Sequence, residues 1–208
     1  MEVAVIGTGN VGSALARTLS SAGHDVIVTS TTQSEAQALA KEVGGQSLES
    51  NVDAIRAAEV VILAVPYAAT ASIVDEADEA LDDKILVDVT NRSGDEEPGA
   101  VVDGSSNAEQ IASMAPVARV VKAFNTVLAS RQADPQVNDM LVDNFVASTD
   151  TDAKATVIEL IRSIGMRPID AGPLSSARTL EAMGALNIYL NMHGGSWQNA
   201  WKLIEPVA

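Results

Sequence analysis

The strand-like stretch Glu2–Ile6 runs straight into Gly7-Thr8-Gly9-Asn10-Val11-Gly12, and a helical stretch opens at Asn10. A G-x-G-x-x-G run set between a strand and a helix constrains the fold more than any other feature of this chain. Gly7 permits a tight turn, Gly9 lets the backbone approach a pyrophosphate, and Gly12 lets the helix pack close to the strand. Backbone N–H groups at the helix start then receive the anion. Gly23 ends the predicted helix Asn10–Ala22, and a second strand, Asp25–Thr29, completes the unit. The expectation is a dinucleotide site formed by Gly7, Thr8, Gly9, Asn10, Val11 and Gly12.

The end of the second strand bears on which dinucleotide binds. NAD sites usually place an acid there, about 20 residues past the glycines, on the ribose 2′-OH. Here the residues are Val28-Thr29-Ser30-Thr31-Thr32-Gln33, with no acid, and Ser30, Thr31 and Thr32 offer hydroxyl donors to a 2′-phosphate. This favours NADP(H). The same hydroxyls also suit a turn that caps the next helix.

Beyond this unit, strands and helices continue to alternate. Strands are predicted at Glu59–Val65, Lys84–Val89, Arg119–Phe124, Phe145–Ser148 and Arg167–Asp170. Helices are predicted at Ser34–Val43, Asn51–Ala58 (with an Asn cap), Ala69–Leu81, Asn107–Ala115, Thr151–Ile164 and Leu174–Met192, and a long surface loop over Asn91–Ser106. Near-continuous Val/Ile/Leu strands separated by helices indicate a Rossmann-like α/β fold, a parallel sheet with helices on both faces. The chain reads as a single domain over 1–208, with 174–208 a C-terminal helical segment.

Hydrophobic residues make up 47% of the chain and aromatics 3%, so Ala, Val, Ile and Leu must fill the core. With no cysteine, disulfides and thiolate metal sites are excluded. Thirteen Lys and Arg face 28 Asp and Glu, a net charge of −15. Nucleic acid needs clustered cations and is not an expected partner. No apolar run is bilayer-length and no secretory signal is visible, so a cytoplasmic protein without a membrane partner is expected. Acidic groups such as Asp75-Glu76, Asp78-Glu79 and Asp82-Asp83 would repel one another in dilute buffer. At about molar salt the Debye length falls to about 3 Å, which fits a halophilic, salt-loaded cytoplasm; the alternative is a merely acidic mesophilic protein. The melting temperature is therefore expected to climb steadily from dilute buffer to molar KCl; a flat profile contradicts that reading.

Four segments together resemble the F420H2:NADP oxidoreductase family: Gly7-Thr8-Gly9-Asn10-Val11-Gly12, Ala22-Gly23-His24-Asp25-Val26, Val65-Pro66 and Ala171-Gly172-Pro173-Leu174. The resemblance runs over nearly the whole chain. It implies a homodimer and direct hydride exchange between NADP(H) and the deazaflavin coenzyme F420. It also implies that Pro173 and Leu174 lie near the nicotinamide and deazaflavin pocket. Where the family commonly has Ser-Arg after the second strand, this chain has Ser30-Thr31, and Val121-Lys122-Ala123-Phe124-Asn125-Thr126 looks like a broader set of dinucleotide-binding proteins.

Hydride transfer between flat rings needs alignment more than an acid or base, and no catalytic acid–base residue is singled out. Ligands of open α/β sheets sit outside the carboxyl ends of the strands. Those ends place Val65, Pro66, Asn91, Phe124 and Asn125 as cofactor contacts: the two asparagines on the nicotinamide carboxamide or ribose, Phe124 as a wall or as core. Lys122 reads as a snorkelling edge residue, with a general acid as the alternative; His24 reads as a helix-end residue, and His193 as a helix-end residue or a cofactor contact. Two rivals stay open: reduction of another acceptor (an imine, a 2-hydroxy acid or a metal complex), and a non-enzymatic NADPH-sensing protein. The last helix is apolar on more than one face. This predicts that it and the tail Gly194–Ala208 pack against their counterparts in a two-fold dimer.

Overall fold

A computed structural model of the chain describes residues 1–91 and 104–204. Most of the predicted loop Asn91–Ser106 lies outside these residues, as does the end of the tail. The strands β1 (Glu2–Ile6), β2 (Asp25–Thr29), β3 (Gln46–Ser47), β4 (Val60–Leu63), β5 (Ile85–Asp88) and β6 (Arg119–Lys122) form one sheet. Its order is β3-β2-β1-β4-β5-β6, every pairing parallel. Strand order therefore reverses beside β1, and the ligand crevice of such a sheet opens there, beyond the carboxyl ends.

Alternation along the strands divides the core. Val3 and Val5 point to one face, against Leu15 and Leu19 of α1 (Asn10–Ser21) and Leu39 of α2 (Gln33–Val43). Ala4 and Ile6 point to the other, against Ile55 of α3 (Asn51–Ala57), Ile73 of α4 (Tyr67–Ala77) and Ile111 of α5 (Asn107–Met114). The cap of α3 is Ser50, whose side chain accepts from the Asp53 N–H, and not Asn51. Ser106 and Glu109 form a reciprocal capping box on α5. Glu109 also pairs with Arg178, which holds its carboxyl down at about 2.

The sheet does not end cleanly at β6. Lys122 and Ala147 form an antiparallel bridge, which attaches the parallel pair β9 (Asp143–Val146) and β10 (Arg167–Asp170), packed under α7 (Thr151–Ser163). The sequence reading missed β3, the short helix α6 (Ala129–Ala133) and the hairpin of β7 (Gln136–Val137) and β8 (Met140–Leu141). All four are too short for periodicity to register. Among the described residues no helix is long and apolar enough to cross a membrane.

The predicted helix Leu174–Met192 splits into a 3-10 turn, Leu174–Ser176, and α8 (Ala177–Met192). Its buried stripe is Ala177, Leu180, Glu181, Gly184, Asn187 and Asn191, so polar residues face the protein. The large apolar residues Leu186, Tyr189, Leu190 and Met192 face outward. The expectation of a helix buried on several apolar faces thus fails within one chain. The tail folds back on its own subunit: Lys202 Nζ donates to Asp143 Oδ1 (2.8 Å) and the Leu203 N–H to Asp143 Oδ2 (2.7 Å).

Candidate functional site

At the glycine turn each glycine answers a different steric demand. Gly7 sits at φ +107°, and a Cβ there would lie 2.4 Å from the Ala64 carbonyl oxygen. A Cβ on Gly12 would lie 2.1 Å from the Gly7 carbonyl oxygen. Gly9 is the opposite case: nothing lies within 4 Å of its would-be Cβ. The space above Gly9 is open, and it lies at the N-cap of α1, where the first N–H groups have no partner within the helix. A side chain there would fill the space a pyrophosphate needs, so the turn fits a dinucleotide.

Next to the turn, Thr8 links three segments. Its hydroxyl lies 2.9 Å from Ser30 Oγ and 3.1 Å from Glu35 Oε2. Ser30 Oγ also accepts from the Thr32 N–H at 3.2 Å, so the hydroxyl row does form a turn before α2. Thr31 and Thr32 are exposed. Val65 touches the turn, its Cγ1 3.1 Å from the Cβ position of Gly7, and Pro66 precedes α4 as its N-cap.

A cleft of about 780 Å³ adjoins the start of α1 at the carboxyl ends of β5 and β6. Asn10 and Val11 line one side, Val89 and Asn91 follow β5, and Phe124 to Ala129 follow β6. Gly184, Asn187 and Ile188 of α8 close it, with Trp197 of the tail at its rim. Asn91 and Asn125 bind each other: Asn91 Nδ2 donates to the Asn125 carbonyl (2.9 Å), and Asn125 Nδ2 donates to Asn91 Oδ1 (2.8 Å). Asn125 Nδ2 donates also to the Leu180 carbonyl at 2.8 Å, which ties the pair to α8. Gly184 makes this approach possible, because a Cβ there would meet Asn91 Oδ1 at 2.3 Å.

Two acceptors in this wall have no protein partner. Asn125 Oδ1 and Thr126 Oγ1 are buried and make no hydrogen bond within the protein. Such atoms are costly unless a ligand or water satisfies them. An amide group, with its N–H donors and its carbonyl, matches this pair of a pure acceptor and a hydroxyl. Phe124 is both core and wall. Its φ is +63°, a strained position for a bulky side chain. Asn144 Oδ1 accepts its N–H (2.9 Å) and Gln132 Nε2 donates to its carbonyl (3.0 Å), which hold it there.

Lys122 corrects the sequence reading. It is fully buried, not snorkelling at an edge. Its Nζ donates to Asp88 Oδ2 (2.8 Å), the Thr90 carbonyl (2.6 Å) and Glu181 Oε1 (2.9 Å). The Asn107 N–H, at the start of α5, donates to Glu181 as well (2.9 Å). The network joins β5, β6, α5 and α8 beside Asn91 and Asn125. Only the bridge to β9 and the return of α8 make β6 an interior strand, and neither is legible locally.

Pro173 and Leu174 are not among the residues that line the cleft; Leu174 packs with the core on the α3–α5 face instead. His24 bonds Ser163 Oγ at 2.8 Å, and His193 stacks on Tyr189 at 4.0 Å, so neither histidine lines the cleft. The carboxylate of Glu35, the Thr126 hydroxyl, Gly184 and the Lys122 network escaped the sequence reading. No His/Cys/Asp/Glu group suited to a metal ion is present among the described residues.

The family model described as NADP oxidoreductase, coenzyme F420-dependent, matches residues 2–92. An F420-dependent NADP reductase of Methanothermobacter marburgensis is 34% identical over 92% of this chain and 93% of its own. The chain belongs to the F420-dependent NADP reductase family. A crystal structure described as a candidate F420-dependent NADP reductase of Arthrobacter sp. FB24 shares 30% identity at a TM-score of 0.87. That match covers 99% of this chain and all of the other. The metalloreductase STEAP3 of Rattus norvegicus is 34% identical over 88% of this chain, which spans 36% of that protein's length.

Proposed function

We propose that this chain exchanges a hydride between NADP(H) and F420 in the cleft at the carboxyl ends of β5 and β6. The observation that carries this reading is the continuity of the site. An open glycine turn at one end leads to a roomy cleft with two unpartnered buried acceptors at the other. NADPH would supply a hydride from its nicotinamide ring to a ring carbon of oxidised F420, and a proton from solvent would complete the reduced deazaflavin. The protein's share is binding and alignment. Gly9 and the start of α1 take the pyrophosphate. Asn125 Oδ1 and the Thr126 hydroxyl take a carboxamide, which orients the nicotinamide. Val89, Phe124 and Ile188 supply apolar wall that keeps water from the rings. Asn91 serves as a positioning residue, since both of its amide atoms are spent on Asn125. The nucleotide contacts among Ser30, Thr31 and Thr32 belong to the same proposal, at the ribose 2′ end. Contacts of Pro173 and Leu174 near the nicotinamide and deazaflavin pocket belong to the proposal too, Leu174 from the side of the sheet where it and Val65 pack on the same core.

Mixing the protein with NADPH and F420 and following deazaflavin absorbance tests the function. Turnover is expected. NADPH binding without turnover on any acceptor supports a sensor, and turnover of an imine or ferric complex alone supports the rival enzymes.

The outward face of α8 carries a further part of the proposal. Leu186, Tyr189, Leu190 and Met192 form an apolar strip on an otherwise acidic protein, and such strips mark interfaces. A two-fold dimer through α8 would cover it. Light scattering should give twice the chain mass of 21.6 kDa, and Leu190→Glu should return the monomer. Because the tail is tied to its own subunit, deleting it should weaken the dimer less than Leu190→Glu does. A native particle of single-chain mass contradicts the interface.

A further inference from the structure

The end of β2 carries no acid, yet an acid reaches that place from the next helix. Glu35, the third residue of α2, turns back so that its Oε2 lies 3.1 Å from the Thr8 hydroxyl inside the glycine turn. The same hydroxyl lies 2.9 Å from Ser30 Oγ at the end of β2. The junction of glycine turn and second strand is where a fold of this type meets the adenosine ribose 2′ position. Turn residue, strand-end hydroxyl and carboxylate thus converge on the point where the two dinucleotides differ. The segment from Ser30 to Glu35 contains no Lys or Arg, and Thr8 is neutral, so no charge in these residues offsets the carboxylate.

We infer that Glu35 is the specificity-determining residue of the nucleotide site, and that it narrows the margin of NADP over NAD so that this chain takes both. The inference rests on the nucleotide reading above. A carboxylate only accepts hydrogen bonds, so a ribose 2′-OH donates to it, while a 2′-phosphate meets a like charge. Ser30, Thr31 and Thr32 supply donors that favour the phosphate. Glu35 opposes them. The carboxylate is exposed, so its effect is moderate and salt-sensitive.

Isothermal titration of NADP+ and NAD+ against the native protein and Glu35→Gln, in dilute buffer, is the test. Gln keeps the shape and the acceptor oxygen while removing the charge. The native protein should bind NADP+ no more than about tenfold tighter than NAD+. In Glu35→Gln, NADP+ should bind about fivefold to tenfold tighter than before and NAD+ no tighter, as expected for one charge a few ångströms from a phosphate in water. The gain should shrink in molar KCl. An affinity ratio unmoved by Glu35→Gln overturns the inference and leaves the nucleotide site standing. If the native protein binds neither nucleotide, both readings fall.

Discussion

Gly9→Val is expected to abolish NADP+ binding while leaving the protein folded. The two effects separate because of where the open space lies. A Cβ on Gly9 meets no atom of the protein within 4 Å, and the residue has a φ of −65°, which any amino acid adopts. The folded chain therefore tolerates a side chain, at the cost of a weaker helix cap, about 1 kcal/mol. A pyrophosphate does not tolerate it, because the isopropyl group takes the space over the N–H groups that would hold the anion. Calorimetry should show at least a hundredfold loss of affinity, with the far-UV circular dichroism spectrum unchanged. Retained affinity would make the turn purely structural. Gly7→Val and Gly12→Val should instead impair folding, since their side chains meet backbone oxygens at 2.4 Å and 2.1 Å.

Lys122→Met should be among the most damaging substitutions to stability, about 3–5 kcal/mol, because it removes one partner of a buried ion network. Asp88 and Glu181 would remain buried with no cation between them, and both lose a hydrogen bond. The same principle predicts rescue. With Asp88→Asn and Glu181→Gln added, no unpaired charge is buried, and most of the loss should return. Urea unfolding of the single and triple variants measures both numbers. A loss under about 1 kcal/mol for Lys122→Met, or a triple variant no better than the single one, would mean that the network is not what holds α8 to the sheet.

Local chemistry made the nucleotide end legible and left much of the rest hidden. The glycine turn and the bounds of β1, β2 and β10 follow from apolar runs and punctuation, and the structure keeps them. Strands were read too long where apolar residues continue past the last ladder bond: Glu59–Val65 narrows to Val60–Leu63, and Arg119–Phe124 to Arg119–Lys122. The shortening of β6 matters, because Phe124 then leaves the strand and turns into the left-handed region at the wall of the cleft. Asn91 and Asn125 were legible as strand-end residues, but not their mutual pairing, which is a contact across 34 positions. Lys122 escapes local reading for the same reason, since its partners come from β5, the loop just after it, and α8. Glu35 lay outside the window where an acid is normally sought. In α8, composition announces an apolar helix but not the direction of each face, and the inward face carries Glu181, Asn187 and Asn191 alongside Ala177, Leu180 and Gly184.

Hydride is expected to pass directly from nicotinamide to a deazaflavin ring carbon across a cleft that supplies alignment, with the accompanying proton coming from solvent. Transfer from NADPH dideuterated at nicotinamide C4 to oxidised F420 in ordinary water tests it most directly. Mass spectrometry of the product should find one deuterium on the reduced deazaflavin ring for each turnover. A product whose new carbon-bound hydrogen comes from solvent, or the absence of any reduced F420, would contradict direct transfer.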